Sequence, residues 1–164
     1  MHRDVTVTFD TETPTQTQAL AAEIGRMLRA GDCVALFGPL GAGKTCFVQG
    51  LAEGLGVTDP VTSPTFIIMR VYRSAPPLCH VDAYRLASGS ALEDIGIADW
   101  LETAVIAVEW AENVADALPK ERLDVHLDHT PTGRRVTLSA SGERYAAVLQ
   151  NLSRSPLAGK ERGA

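Results

Sequence analysis

The chain is poor in features that would hold a small protein together covalently or through a metal. Its three cysteines, Cys33, Cys46 and Cys79, have neither paired spacing nor metal-ligand spacing. That excludes a disulfide framework and a zinc-ribbon-like site, and it suits a reducing compartment. Runs of lysine and arginine are missing outside the last residues, and the net charge is −5 with a pI near 5.3. A protein that grips nucleic acid over a broad basic surface is therefore excluded. Missing too is a run of about 18 apolar residues, the length a helical membrane span needs. Met1-His2-Arg3-Asp4 leads straight into a strand pattern, without an apolar leader, so a cytoplasmic location away from membranes is expected. Core material, by contrast, is ample: 45% hydrophobic against 21% charged residues excludes wholesale disorder. The 164 residues fit one domain over 1–152, followed by a tail of small and charged residues over 153–164 that is expected to be disordered.

The most informative stretch is Gly38-Pro39-Leu40-Gly41-Ala42-Gly43-Lys44-Thr45. It fits G-x-x-x-x-G-K-[ST], with Gly41 as an additional glycine. Glycines let successive main-chain N–H groups curl around an anion, and Lys44 can reach β and γ phosphate oxygens. The Thr45 hydroxyl can ligate Mg²⁺, and the following helix directs its positive end at the bound charge. The flanks agree with this reading. Cys33-Val34-Ala35-Leu36-Phe37 has the pattern of a buried strand, and Phe47, Val48, Leu51 and Leu55 recur at helical spacing. A chance glycine-rich turn would not require that context.

Around this motif the chain alternates between strand and helix patterns. Val5, Val7 and Phe9 mark a half-buried strand. Thr13-Pro14-Thr15-Gln16 has the form of a capping box, opening a helix that buries Leu20, Ile24, Met27 and Leu28 and stops at Gly31. The motif's helix is closed by Gly54 and Gly56. After a polar connector containing Pro60 and Pro64, strands are expected over Phe66 to Tyr72 and Leu78 to Asp82. A short helix capped by Ser90 runs to Ile95, and the apolar strand Ala104 to Val108 ends at Glu109-Trp110. A hairpin then turns at Thr130 to Gly133, and a helix spans Glu143 to Leu152. The expected fold class is α/β: a three-layer P-loop nucleotide-triphosphatase arrangement with a mixed, mostly parallel central sheet. Antiparallel strands are added at the short turns Ser74 to Pro77 and Thr130 to Gly133. Ligands of such sheets sit beyond the carboxyl ends of the strands, which gathers the phosphate loop, Asp82 and Glu109 at one rim.

A triphosphate site needs a carboxylate at the end of a hydrophobic strand to hold Mg²⁺. Glu109 follows the most apolar strand and fits that role best; Asp82 is the second candidate. The connector around Thr62-Ser63-Pro64-Thr65 lies where such proteins often carry a γ-phosphate-sensing switch, though an ordinary solvated loop reads the same way. His80 reads as a satisfied core or near-site histidine rather than a ligand, because no second His or Cys lies at metal spacing. Cys46 is the last residue of the expected nucleotide-binding stretch, Gly38 to Cys46; it lies in the first turn of the helix, where the dipole can lower a thiol pKa, and its side chain reads as a packing one. Trp110, next to the metal candidate, is as suited to a contact surface as to the core.

Taken together, these pieces resemble one family. The ordered series is Gly38 to Thr45, Ser63-Pro64-Thr65-Phe66, His80-Val81-Asp82-Ala83-Tyr84-Arg85-Leu86, Gly96-Ile97 with Trp100, and Val108-Glu109-Trp110. Over roughly residues 3 to 140 it is similar to the small bacterial ATPases of tRNA threonylcarbamoyladenosine synthesis, the TsaE family. The resemblance implies a P-loop ATPase binding ATP with Mg²⁺, Thr45 and Glu109 as metal ligands, and Thr65 in a switch-like loop. It implies Asp82 as a residue needed for hydrolysis, and Ser63, Tyr84, Arg85 and Trp110 as switch or partner surface. It also implies docking on a two-protein complex of TsaB and TsaD type. That complex installs threonylcarbamoyl on adenosine 37 of tRNAs reading ANN codons, and ATP hydrolysis resets it; tRNA is met only indirectly. Further nucleotide contacts are implied at Thr13 to Thr17 and at Gly133-Arg134. Pro39 stands where an acidic residue is common in that family, and Cys46 where a second threonine is usual.

The leading expectation is thus a partner-stimulated ATPase with poor intrinsic turnover. A small-molecule kinase would need an acceptor pocket and an arginine-bearing lid, and no segment between the expected strands is long and Arg-rich enough for one. A guanine-specific switch usually carries Asn-Lys-x-Asp, where this chain has Glu109-Trp110-Ala111-Glu112. A nucleotide-sensing interaction module is the non-catalytic alternative.

Overall fold

Strand β2 (Cys33–Phe37) runs through the middle of the sheet, as its unbroken apolar sequence requires. The structure is a computed structural model that describes residues 5–64 and 68–152 and the backbone of 161–162. Thr65 and Phe66 of the expected switch and strand lie outside the described residues, as do 153–160 of the tail. The remaining strands are β1 (Val5–Thr11), β3 (Met69–Tyr72), β4 (Leu78–Asp82), β5 (Val105–Glu109), β6 (Arg122–His129), β7 (Arg134–Ser141) and β8 (Glu161–Arg162). Their order across the sheet is β3-β4-β5-β2-β6-β7-β1-β8.

The centre is parallel: β4 with β5, β5 with β2, and β2 with β6. The edges are antiparallel, β3 on β4 and β7 on β6, at the two turns too short for a crossover. β1 then adds antiparallel to β7, and the tail contributes β8 as two residues beside β1.

Alternation along the strands divides the core into two layers. Val34, Leu36, Val105, Ala107, Leu123 and Val125 face helices α1 (Pro14–Gly25), α2 (Lys44–Leu55) and α4 (Glu143–Leu152). Cys33, Ala35, Val81, Ile106 and Val108 face the other way, against α3 (Gly89–Asp94) and the 3-10 turns near Ile97 and Val114. Each fully buried Leu or Ile contributes about 1.5–3 kcal/mol by leaving water, so both layers are needed to hold the central strands. The result is the three-layer P-loop nucleoside-triphosphatase fold with its mixed sheet. Tyr145 and Arg144 anchor α4 to the start of β2: the Cys33 N–H donates to Tyr145 Oη at 2.9 Å, and Arg144 Nη2 donates to Asp32 Oδ2 at 2.7 Å.

Four local expectations are corrected. Helix α1 ends at Gly25, not Gly31, because Met27 and Leu28 bond three residues back and tighten the chain out of α geometry. Gly54 does not close α2, which continues to Leu55 and is capped by Gly56 at φ 87°. Gly54 instead lies against α1, where a Cβ would stand 2.3 Å from the Ala22 carbonyl oxygen. Helix α3 starts at Gly89 with Ser88, not Ser90, in the cap position, and the two serine hydroxyls bond each other at 3.1 Å. Strand β5 runs one residue later than expected and includes Glu109. The Thr13 cap stands, its Oγ1 accepting from the Gln16 N–H at 3.2 Å.

Candidate functional site

Three strand ends and one helix start meet at a cavity of about 520 Å³. The loop from β2 crosses its floor. Gly38 is required there: its φ is 149°, and a Cβ would stand 2.4 Å from the Leu127 carbonyl oxygen of the neighbouring strand. Gly43 holds the N-cap of α2 at φ 102°, and no side chain caps the helix. The first-turn amides of α2 are thereby left for an anion, at the positive end of the helix.

The strand register explains which acids reach this cavity. Asp82 and Glu109 are direct partners on the parallel strands β4 and β5, and both point to the α2 face. Thr45, one residue into α2, donates its hydroxyl to both Glu109 oxygens, at 2.9 and 3.0 Å. Asp82 Oδ2 accepts from the Ser63 hydroxyl at 3.1 Å, and its Oδ1 from the Tyr84 N–H at 3.0 Å. Both carboxylates are nearly closed to solvent, with Asp82 5% and Glu109 3% exposed.

Lys44 Nζ donates to the carbonyls of Gly38 and Pro39 and lies 3.7 Å from the centroid of the Trp110 ring, a cation–π contact. Burial pulls its ammonium below the ordinary lysine value, while Glu109, Glu112 and Asp82 push it back up. Trp110 itself adopts left-handed backbone at φ 57°, which turns its ring over the lysine. The Tyr84 ring is tilted against it at 5.0 Å, and Tyr84 and Leu40 are exposed at the rim. Arg85 is exposed and lies outside the cavity lining.

A second recess of about 120 Å³ opens beside Gly43 and Cys46, between Thr13, Pro14 and Thr17 of α1 and the Gly133-Arg134 turn. The first helix and the late hairpin are therefore neighbours of the phosphate loop. Arg134 clasps that loop from outside, its Nε donating to the Ala42 carbonyl at 3.1 Å and its Nη2 to the Gly41 carbonyl at 3.2 Å. Holding carbonyls outward leaves the amides of the same peptides to face inward.

The residue pattern did not single out Asn113, which ties the two rim loops together by donating to the Ala83 carbonyl at 2.9 Å. Its signal was weak, an amide four residues past a metal candidate. Cys46 departs from the helix-dipole expectation: burial dominates and pushes its thiol above the usual value. Cys33 and Cys79 are sealed in the core with thiols pushed up to about 12. Iodoacetamide at neutral pH is therefore expected to modify Cys46 alone, more slowly than a free cysteine and faster as pH rises. Peptide mass mapping over a pH series checks this; modification of Cys33 or Cys79 in folded protein would contradict it.

The donor set suits a hard divalent cation, since the Thr45 hydroxyl and the Glu109 carboxylate, both oxygen donors, converge at the cavity. Among the described residues no group of three His, Cys, Asp or Glu forms a protein-only metal cage. Magnesium that keeps most of its ligands as water and phosphate needs none.

Comparison with known proteins places these features in context. The family model for "Threonylcarbamoyl adenosine biosynthesis protein TsaE" matches residues 11–136. The tRNA threonylcarbamoyladenosine biosynthesis protein TsaE of Streptomyces coelicolor is 46% identical over 138 residues, covering 79% of this chain and 93% of the relative. The protein of the same name from Bacillus subtilis is 40% identical over 147 residues, covering 88% and 92%. Among solved structures, Bacillus subtilis YdiB superposes with a TM-score of 0.78 at 34% identity, covering 94% of this chain and 97% of that one.

Proposed function

The chain belongs to the TsaE family, and from that premise we propose that it is the ATPase of tRNA threonylcarbamoyladenosine formation. It binds ATP with Mg²⁺ and docks on partner proteins of TsaB and TsaD type in the cytoplasm. Hydrolysis of ATP resets that complex between modification cycles. The observation that carries the reading is the Thr45 hydroxyl seated on both oxygens of Glu109 at the carboxyl ends of parallel strands, with Lys44 and Asp82 on the same cavity.

In this reading the phosphates lie along the amides of Gly41 to Thr45, at the start of α2, and Lys44 neutralises β and γ oxygens. Thr45 and Glu109 hold the magnesium ion, which supplies charge neutralisation on the phosphate chain when bound. Asp82, held by the Ser63 hydroxyl and the Tyr84 N–H, orients the attacking water. Thr65, beyond Ser63 in the connector, senses the γ-phosphate. The Thr13 to Thr17 and Gly133-Arg134 recess takes the nucleoside end. Tyr84, Arg85 and Trp110 form the surface on which the partners complete the site. A chain of net charge −5 leaves the tRNA contact to those partners.

The test measures ATP hydrolysis with and without the TsaB- and TsaD-type proteins. Hydrolysis by the parent should rise when both are present. Asp82→Asn should lose about 10²-fold or more of the stimulated rate, as for removal of a water-orienting base, while keeping the parent's affinity for ATP. Full stimulated activity in Asp82→Asn would move the reading to a nucleotide-sensing interaction module.

A further inference from the structure

His80 lies directly beneath the acids, two residues before Asp82 on β4, and is fully buried. Its Nε2 is 2.6 Å from Glu109 Oε2. Its Nδ1 is buried and has no hydrogen-bond partner among the described residues. The register brings this about. His80 sits opposite Ala107 on the parallel neighbour β5, and the small alanine side chain leaves the imidazole room to lean along the strand toward Glu109.

The two nitrogens decide the proton arrangement. An ionised Glu109 only accepts, so the hydrogen of the short contact belongs to Nε2. A further hydrogen on Nδ1 would be a buried donor with no acceptor, whereas a bare lone pair there costs less. His80 is therefore the Nε2–H tautomer, donating into the carboxylate that takes the Thr45 hydroxyl from the other side.

We propose that His80 is a positioning residue for divalent-cation binding. Its N–H pins Glu109 from inside the core, so that the carboxylate meets Thr45 and the cation in one fixed orientation. The inference rests on the reading that Thr45 and Glu109 hold the magnesium of a bound nucleotide. Hydrogen bonds behind a metal-binding carboxylate govern its orientation, and losing one typically weakens metal affinity by about 10–100-fold. Without His80, Oε2 of a glutamate 3% exposed would lose the N–H on its core side and be held from the cavity side alone, by the Thr45 hydroxyl.

The test is calorimetric titration of ADP into the full chain, across a magnesium series and in EDTA. Parent, His80→Gln and His80→Asn are compared. Glutamine carries an N–H at the reach of Nε2; the asparagine amide stops short of Glu109. In EDTA all three should bind ADP alike. The magnesium concentration that gives half of the tightening should rise at least about tenfold in His80→Asn and stay near the parent's in His80→Gln. If His80→Asn does not fold, His80→Leu, close in volume and without a buried polar group, takes its place. An unchanged magnesium response in the short variant overturns the proposal. So does ADP binding weakened equally with and without magnesium, or a response lost equally in His80→Gln, since either assigns the effect to packing. A parent that binds no ADP, or binds it identically with magnesium and EDTA, overturns the nucleotide–metal reading itself.

Discussion

Lys44→Ala is expected to lower partner-stimulated ATP hydrolysis by about 10²–10³-fold, the usual loss when one preorganised charge partner of a transition state is removed. The argument turns on what surrounds the ammonium. Asp82 and Glu109 line the same cavity, and Glu112 acts on Lys44 from nearby. Without the lysine, a triphosphate would meet those acids with no cation from the loop between them. The loss therefore exceeds that of one hydrogen bond and should extend to ATP affinity as well. Lys44→Met separates charge from packing, because it keeps an apolar stem against the Trp110 ring. Both variants should fail alike in the hydrolysis assay. If Lys44→Met hydrolysed ATP at the parent's rate, charge at this position would not matter and the proposed chemistry would be wrong.

The second large effect concerns stability. Helices α1 and α2 meet backbone to backbone at three glycines. A Cβ on Gly50 would stand 2.4 Å from the Gln18 carbonyl oxygen and 2.6 Å from Ala21 Cβ, and one on Gly25 would stand 2.4 Å from the Leu51 carbonyl oxygen. Helix propensity alone says that Gly50→Ala should stabilise α2 by about 1 kcal/mol. The contact says the opposite, because the helices must separate and lose packing along their whole length. Overpacking of this kind costs about 1–3 kcal/mol and occasionally more, and against backbone the upper end applies. A net loss of about 2 kcal/mol is therefore expected, with Tm lower by roughly 4–8 °C for a chain of this size. Thermal unfolding followed by circular dichroism reads the sign directly; a higher Tm for Gly50→Ala would refute the close approach.

Much of this was legible in the residues, for identifiable reasons. The phosphate loop announces itself because only glycine-rich backbone between strand and helix can wrap a polyanion. The antiparallel edges followed from turn length, and Asp82 and Glu109 were placed at one rim because each terminates its own apolar strand. What the one-dimensional pattern could not carry was registry between strands. That β4 and β5 are parallel neighbours, with Asp82 level with Glu109, depends on pairing across the sheet. The contact of His80 with Glu109 depends on the same pairing, so the histidine read only as a core or near-site residue. Arg134 was expected near nucleotide, but its grip on the Gly41 and Ala42 carbonyls arises from a hairpin folding back more than ninety positions along the chain. The seam of glycines between α1 and α2 was misread at Gly54 because a glycine that ends a helix and one that admits a neighbour look identical in sequence.

The placement of β1 has a consequence for biosynthesis. Val5 lies opposite Ala140, and β7 is the partner that joins β1 to the rest of the sheet. A ribosome thus releases the first strand long before the segment that will receive it has been translated. Until then Val5, Val7 and Phe9 hang from an incomplete molecule as an unclaimed apolar edge, the kind of surface that invites aggregation or chaperone capture. Closure of the late hairpin both takes in that strand and delivers Arg134 to the phosphate loop. One late hairpin thus governs both the fate of the earliest strand and the bracing of the loop around Gly41 and Ala42 in the nascent polypeptide.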